Sequence, residues 1–296
     1  MLFRKRFAGY LLAVSSVGLA GTLVSPSVNA TPMGYALADG GTSLVSFTLS
    51  DPGTTTSVAL TGGTLDAIDF RPATGELFGY DDATDAFFTV DTSSGVLTPA
   101  STTVTATDTD ALDIDWNPTI DRMRTITATD QNIVYNPNTG TASDAATTPL
   151  FYVAGDANDG ANPNIVANGY TNSVAGAMTT QQFALDSDLN VLVTLGNNAG
   201  TLNTIGSTGV DFDANAGLDV LTVGMSNTLY ALLTVSGVTS LYALDATSGA
   251  ATMVGVIGSS LNDLAGLAVA NIPEPSMLLL LSGGVLLLAR RRALNN

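Results

Sequence analysis

One short turn pattern recurs along the chain and constrains its fold more than any other feature. Each copy combines Asp, Asn or Ser with a glycine, beginning with Ser50-Asp51-Pro52-Gly53. The glycines are 42, 45, 60 and 49 residues apart, at Gly53, Gly95, Gly140, Gly200 and Gly249. Asp, Asn and Ser bond the backbone of their own turn and glycine takes a positive φ without strain, so the pattern predicts bulged β-hairpins. β-rich segments flank the turns, and no stretch has a sustained helical period.

Apolar segments with embedded acids separate the hairpins at a similar period. They cover residues 65–70, 112–116, 165–170, 218–223 and 264–269. Four short strands per repeat of this length are what a β-propeller blade requires, so we predict an all-β propeller of five four-stranded antiparallel blades. The first repeat lacks an inner strand of its own, and the last apolar segment is not followed by further predicted strands. The N- and C-terminal strands should therefore pair in one blade. A β-sandwich and a β-helix are the alternatives, because residues 144–163 interrupt the third repeat.

The first 30 residues have the order of a secretory signal peptide. Basic residues 4–6 precede an apolar stretch, which ends in Val28-Asn29-Ala30, a small-residue exit of the kind that signal peptidase cleaves. A retained N-terminal anchor is the alternative. We therefore predict export across the inner membrane, removal of residues 1–30, and a folded domain over residues 31–270.

Residues 271–296 have the features of a membrane-sorting tail. Pro273, Glu274 and Pro275 precede an apolar run over 277–289, which is followed by Arg290, Arg291 and Arg292. The run is shorter than the roughly 20 residues of a full bilayer span, so it predicts a short transmembrane helix with its arginines in the cytoplasm. The tail resembles a PEP-CTERM sorting signal. That resemblance implies a Gram-negative bacterium that makes an exopolysaccharide, cleavage by an exosortase near the tripeptide, and transient anchoring before the protein reaches the cell surface or the medium.

Removal of both ends would leave a strongly acidic chain. Residues 31–274 contain all 26 acidic residues of the sequence but only Arg71, Arg122 and Arg124 as basic ones. Such a charge disfavours nucleic acids and anionic lipids as partners. The same stretch has no Lys, His or Cys, which excludes a nucleophile activated by His or Lys, thiol chemistry and His-ligated zinc. Without disulfides, a large apolar core must stabilise the exported domain.

The densest group of chemically active side chains follows the second apolar segment. It consists of Asp113, Asp115, Asp121, Arg122 and Arg124. In a strand, Asp113 and Asp115 share one face, where two carboxylates could bind a cation or act as the acid pair of a glycoside hydrolase. The alternative is that the arginines neutralise these acids and fix a blade junction. Asp69 occupies in the preceding repeat the position that Asp115 occupies in this one. An acid that recurs between repeats is more easily explained by hydrogen bonding to the backbone in each blade than by one active site.

Calcium is the one cofactor that the composition suggests, because hard cations take oxygen ligands and aspartate is abundant. The candidate loops contain Asp156, Asn158 and Asp159, then Asp211, Asp213 and Asn215, and also Asp81, Asp82 and Asp85. None has the glycine and distal glutamate of a calcium loop in register, and solvated turn acids are the alternative.

Residues 68–79 and 113–124 share an Ile-Asp-aromatic pattern followed by a proline and a turn, and they resemble a family of secreted bacterial proteins known only as a domain of unknown function. Residues 200–206 fit the same family, and the resemblance covers most of 34–269. It implies a propeller-like fold and no particular activity. The sequence therefore favours a non-enzymatic surface or matrix protein that binds a glycan or a protein in the exopolysaccharide layer. The alternatives are a carbohydrate-active hydrolase or lyase that uses Asp, Arg or Tyr groups, and a calcium-dependent scaffold.

Overall fold

The computed structural model describes residues 30–100, 111–136, 138–139, 141–142, 148–258, 261 and 263–273. Nearly all of the predicted signal peptide, and the predicted tail beyond Pro273 with its short transmembrane helix, lie outside these residues. In the described part, no helix is long and apolar enough to cross a membrane. The helical content there is a single 3-10 turn at Asn197–Ala199.

The strands follow one another along the chain in sheet-sized groups. The first group is β1 (Ala30–Ala38), β2 (Ser43–Thr48) and β3 (Asp51–Ala59). The second is β4 (Ala67–Phe70), β5 (Leu77–Asp81), β6 (Ala86–Val90) and β7 (Leu97–Pro99). The third is β8 (Ala111–Asn117), β9 (Arg122–Thr127), β10 (Asn132–Asn136) and β11 (Thr141–Ala142). The fourth is β12 (Phe151–Tyr152), β13 (Ile165–Tyr170), β14 (Gln182–Asp186), β15 (Val191–Gly196) and β16 (Thr201–Ser207). The last strands are β17 (Ala216–Val223), β18 (Ser226–Val235), β19 (Val238–Leu244), β20 (Ala251–Val256) and β21 (Ala265–Pro273).

These strands form five sheets, and the predicted five-bladed propeller is confirmed. Four sheets have four strands each, and neighbouring strands along the chain pair antiparallel. The fourth sheet has five, because β12 from the irregular insertion adds to its outer edge, parallel to β16. The insertion therefore extends one blade without changing the number of blades.

The predicted pairing of the two chain ends is also confirmed. Strand β21 pairs antiparallel with β1, from Ala30 opposite Pro273 to Leu37 opposite Ala265, and becomes the inner strand of the first blade. The pairing runs slightly beyond the predicted domain limits of 31 and 270. The inner strands contact one another in the order β4, β8, β13, β17, β21 and back to β4, so the ring is closed. Closure of this kind removes exposed inner sheet edges.

The hydrophobic core is divided among the junctions between neighbouring sheets. Each of five buried clusters combines side chains from two adjacent blades. In the junction of the second and third blades, Trp116 is fully buried and packs edge to face on Phe78, with ring centroids 5.1 Å apart. A blade alone would expose both of its apolar faces, so burial requires stacking into a ring.

Two of the recurring turns, which end at Gly95 and Gly249, clearly have the predicted chemistry. The first turn of the series, which contains Gly53, does not. The Asp91 carboxylate accepts hydrogen bonds from the backbone of Ser93 and Ser94, and Gly95 has a φ of 73°. The Asp245 turn repeats this arrangement and ends at Gly249, with a φ of 81°. The prediction for Gly53 is wrong. The chain turns at residues 49–50, and Gly53 lies inside β3, because β2 and β3 pair through a register shift next to Asp51.

Candidate functional site

The inner strands bring carboxylates from three blades together. Asp69 on β4, Asp115 on β8 and Asp219 on β17 each place a carboxylate oxygen within 4.8 Å of the other two. Since β17 is not a neighbour of β4 or β8 in the ring, these oxygens can only meet inside it. The three residues are 3%, 1% and 2% exposed. We call them the central acids.

Two of the central acids connect one inner strand to the next through main-chain hydrogen bonds. Asp69 accepts the N–H of Phe70 at 2.6 Å and that of Trp116, on β8, at 2.9 Å. Asp219 accepts the N–H of Val220 at 2.5 Å and that of Val269, on β21, at 2.5 Å. The sequence-based expectation that Asp69 has a backbone-bonding role is therefore confirmed, and Asp219 has the same role.

Asp115 differs from the other two because neither of its carboxylate oxygens has a hydrogen-bond partner among the residues that the structure describes. The backbone N–H of Tyr170, on the adjacent inner strand, favours its ionised form from nearby but is not in hydrogen-bonding geometry. An unsatisfied buried oxygen is rare in native proteins and indicates strain, a functional role or an additional ligand. Asp115 is thus the least satisfied member of the central acids.

Asp113 shares a strand with Asp115 but makes a different contact. Its Oδ2 accepts the N–H of Asn168, on β13, at 2.9 Å, while its Oδ1 is buried without a partner. The Asn168 side chain is buried as well, and its Oδ1 accepts a hydrogen bond from the Gln182 amide at 2.7 Å. The expected Asp113–Asp115 pair is therefore one part of a larger buried polar layer.

Burial is the largest cause of altered acidity in this layer. It raises the pKa of Asp69, Asp113 and Asp115 well above the ordinary value, and repulsion from the neighbouring carboxylates adds to the shift. It also raises the pKa of Asp219 to about 7, against the opposing effect of the two main-chain hydrogen bonds. Charge on this layer is therefore costly unless a proton or a cation compensates it.

The arginines lie near the central acids in sequence but bind other groups. Arg71 donates from Nε to Asp121 Oδ1 at 2.8 Å, and its Nη2 forms an ion pair with Oδ2 of the same carboxylate. The guanidinium of Arg71 also lies 4.8 Å from the centroid of the Trp116 ring. The predicted neutralisation of these acids by Arg122 and Arg124 is therefore wrong for Asp113 and Asp115, and Asp121 pairs with Arg71 instead, whose hydrogen bond lowers the pKa of Asp121.

The other two arginines are occupied as well. Arg124 is buried and donates to Tyr170 at 3.3 Å, to Asn132 at 3.0 Å and to Asn198 at 2.8 Å. Arg122 donates to the carbonyl oxygens of Ile120 and Asp121, at 3.2 and 2.9 Å. Within the described ranges, none of the arginines forms an ion pair with a central acid.

A cavity of about 810 Å³ opens where the inner strands end. Its walls include residues 69–72, 173–175, 219–222 and 269–271, which end or follow four of the five inner strands. Asp69 and Asp219 are among the lining residues, so the cavity reaches two of the central acids. Backbone, hydroxyl, carboxylate and apolar groups all contribute to the lining, a mixture that is typical of ligand pockets of this size.

Comparison with known proteins identifies the family. Residues 43–268 match the family described as "Domain of unknown function (DUF4394)". The chain belongs to this family. The resemblance noted from residues 68–79 and 113–124 is thereby confirmed, and no curated protein matches the sequence.

Two solved structures show how far the structural likeness of this family member extends. One is a nidogen/laminin complex, with 10% identity, a TM-score of 0.48, and coverage of 81% of this chain and 98% of that one. The other is an auxiliary nutrient binding protein from Bacteroides ovatus, with 15% identity, a TM-score of 0.40, and coverage of 66% of this chain and 51% of that one. This chain thus spans about half of the nutrient binding protein. Likeness at this level carries no argument about function.

The aspartates of the predicted calcium loops accept hydrogen bonds from their own turns and from neighbouring segments. Asp156 accepts the N–H of Asn158 at 2.9 Å and that of Thr204 at 2.7 Å, and Asp159 accepts the N–H of Gly155 at 2.8 Å. In the second loop, Asp213 accepts the N–H of Asn215 at 2.9 Å, and Asp211 accepts from the Asn190 amide at 3.0 Å. In the third, Asp81 and Asp85 accept hydrogen bonds from Thr84 and Tyr80. Calcium binding at these loops stays a prediction.

Sequence reasoning did not single out Asp219. The signal was present, because Asp219 follows a leucine in the fourth apolar segment as Asp69 and Asp115 follow an isoleucine in the first two. Among the described residues, no second group of three acids is gathered as closely as the central acids.

Proposed function

We propose that the protein is a non-enzymatic binding module that holds a glycan or a peptide segment of another protein in the cavity at the end of the inner strands. The observation that carries this proposal is the cavity itself, with its volume of about 810 Å³ and its walls from several blades. Pockets of roughly 300–1,000 Å³ accommodate ligands of drug size, which is also the size of a short oligosaccharide. Loops that a rigid propeller positions are suited to selective binding.

The bonding of the acids at the cavity supports binding over hydrolysis. A glycoside hydrolase needs one carboxylic acid and one carboxylate that are free to reach the substrate. Asp69 and Asp219 instead use both of their oxygens as acceptors of main-chain N–H groups. The candidates Asp113 and Asp115 are fully buried and do not line the cavity, and Asp121 is paired with Arg71.

The location of the protein belongs to the same proposal. Export through a cleaved signal peptide, followed by exosortase cleavage at Pro273-Glu274-Pro275, would release the propeller into an exopolysaccharide layer. In this scheme β21 ends at Pro273, the first residue of the tripeptide, so cleavage after that residue would leave the closing strand intact. The acidic character of the chain supports partners other than nucleic acid and anionic membranes.

A matched pair of tryptophan variants tests the proposal on a glycan array and in a pull-down with the extracellular polysaccharide of the producing bacterium. Val174 lines the cavity and is 42% exposed, so Val174→Trp should obstruct the cavity without disturbing the core. Val238 is 50% exposed and starts β19 outside the cavity lining, which makes Val238→Trp the control. We expect the first variant to lose at least tenfold in affinity and the second to bind like the parent.

Three results would contradict the proposal. The first is the absence of binding to every glycan and matrix protein tested. The second is equal binding by both tryptophan variants. The third is release of reducing ends or unsaturated sugars from the polysaccharide, which would identify a hydrolase or a lyase instead.

A further inference from the structure

We infer that the central acids, Asp69, Asp115 and Asp219, bind one Ca²⁺ ion inside the ring of inner strands. This site is separate from the three loops that the sequence suggested, and it does not depend on what the cavity binds. Its role would be to hold three blades together at the place where their carboxylate oxygens meet.

The geometry of the three carboxylates suits this ion. Their oxygens lie within 4.8 Å of one another. Calcium–oxygen distances are about 2.3–2.6 Å, so two oxygens on opposite sides of one ion are about 4.6–5.2 Å apart. An ion placed among the three could therefore contact an oxygen of each after only small side-chain adjustments.

Asp115 supplies an independent indication of a ligand. It is 1% exposed, both of its oxygens lack hydrogen-bond partners within the described part of the chain, and one of them faces the other two central acids. Asp69 and Asp219 retain acceptor capacity, because a carboxylate has about four lone-pair sites and each uses two for main-chain N–H groups. Carboxylate oxygens from three blades, each with lone pairs still free to bind a ligand, thus meet at one place.

The charges of the surrounding protein leave a role for a cation. Three ionised carboxylates this close repel one another strongly in a buried site. The three arginines in the described ranges do not compensate for them, since Arg71 pairs with Asp121, and Arg124 and Arg122 donate to neutral oxygens. Two main-chain donors each for Asp69 and Asp219 offset part of this repulsion, and a bound cation would offset the rest.

An ion has a route to the site and a chemical reason to be calcium. The cavity at the end of the inner strands includes Asp69 and Asp219 in its lining, so an ion would enter from that side. All of the donors are hard oxygens, which favours calcium over zinc, whose structural sites use sulfur and nitrogen. Magnesium requires near-ideal octahedral geometry at about 2.0–2.1 Å and loses water reluctantly, so a wide three-carboxylate site favours calcium over magnesium as well.

Calorimetric titration of the purified, chelator-treated full-length protein tests the site directly. With CaCl₂ at pH 7.5 we expect one ion per chain and release of protons on binding, because the ligands must be deprotonated. Calcium at 100 times its Kd should raise the Tm by about 5–10 °C. Magnesium at the same concentration should give a smaller shift.

Two Asp→Asn variants locate the ion. Asp115→Asn keeps the side-chain size, removes one negative charge and relieves repulsion, so the calcium-free variant should fold and have a Tm at least equal to that of the parent. It should lose the calcium-induced rise in Tm and at least 100-fold in calcium affinity. Asp219→Asn should also lose the response, whereas Asp213→Asn, in an exposed turn, should keep it.

The inference is overturned if the parent protein binds no calcium and its Tm does not respond. It is also overturned if folded Asp115→Asn retains the full response, or if Asp213→Asn alone abolishes it, since the ion would then lie in a loop. Equal or tighter binding of magnesium would contradict the assignment to calcium.

Discussion

The stability of the metal-free propeller should fall as the pH rises from about 4 to about 7. Asp219 carries the clearest reason, because burial raises its pKa from 3.8 to about 7 in the folded chain. Well below pH 3.8 the carboxyl group is protonated in both the folded and the unfolded chain, and its contribution to stability is fully present. Above that pH the unfolded chain releases the proton while the folded chain keeps it, so stability is lost until the pH passes about 7.

The size of the effect follows from the shift. Each unit of pKa difference corresponds to about 1.4 kcal/mol, so a shift of roughly three units amounts to about 4 kcal/mol for this one carboxyl group. Asp69, Asp113 and Asp115 have pKa values that shift in the same direction, so they act in the same sense. Asp121 changes the stability in the opposite direction. Arg71 lowers its pKa in the folded chain, so the contribution of Asp121 to stability is lost as the pH falls.

Urea unfolding in the presence of a chelator, at intervals from pH 4.5 to pH 8, measures this dependence. The side chain at 219 cannot ionise in the variant Asp219→Asn, so its free energy of unfolding should fall less over this range than that of the parent, by up to about 4 kcal/mol. Asp213→Asn serves as the control and should follow the parent. Equal slopes for the parent and Asp219→Asn would refute the reasoning, as would a parent whose stability rises across this range.

Two further predictions concern the ring. A Cβ at Gly217 would lie 2.6 Å from the backbone C of Gly266 and N of Leu267, so Gly217→Ala should cost about 1–3 kcal/mol, or about 2–12 °C in Tm, by thermal unfolding. At Gly63 the nearest atom would be 3.6 Å away, and Gly63→Ala should leave the Tm nearly unchanged. Truncation before Leu264 removes β21, its pairing with β1 and part of a core cluster, so cooperative unfolding should disappear; a truncated chain that unfolds like the parent would contradict ring closure.

The architecture could be predicted because it depends on local chemistry that repeats. The Asp91 and Asp245 turns fold as their residue types require, since an Asx side chain and a glycine determine a turn over a few residues. The pairing of β1 with β21 could be predicted because the first repeat lacks an inner strand and the last strand lacks a blade of its own. Pairing with each other is the one way for both to bury their edges. Gly53 was misassigned because the register between β2 and β3, a pairing between strands, decides where that turn falls.

The candidate site was only partly predictable. Asp69 and Asp115 could be singled out because they recur in the repeat, but the sequence does not state which carboxylates meet. Asp113 and Asp115 share a strand face, yet Asp113 bonds to β13 while Asp115 faces Asp69 and Asp219. Arg71 is two residues from Asp69 but pairs with Asp121, because that partner is fixed by the contact between neighbouring blades.

The sequence by itself determined the class of fold, the number of blades, the acidic character of the chain and the absence of His, Lys and Cys from residues 31–274. These follow from composition and from patterns that act within a few residues of one another. Only the tertiary structure decided that three aspartates, widely separated along the chain, are buried with their oxygens within 4.8 Å of one another. The physical reason is that ring closure sets the distances between inner strands, and those distances depend on all five blade junctions at once.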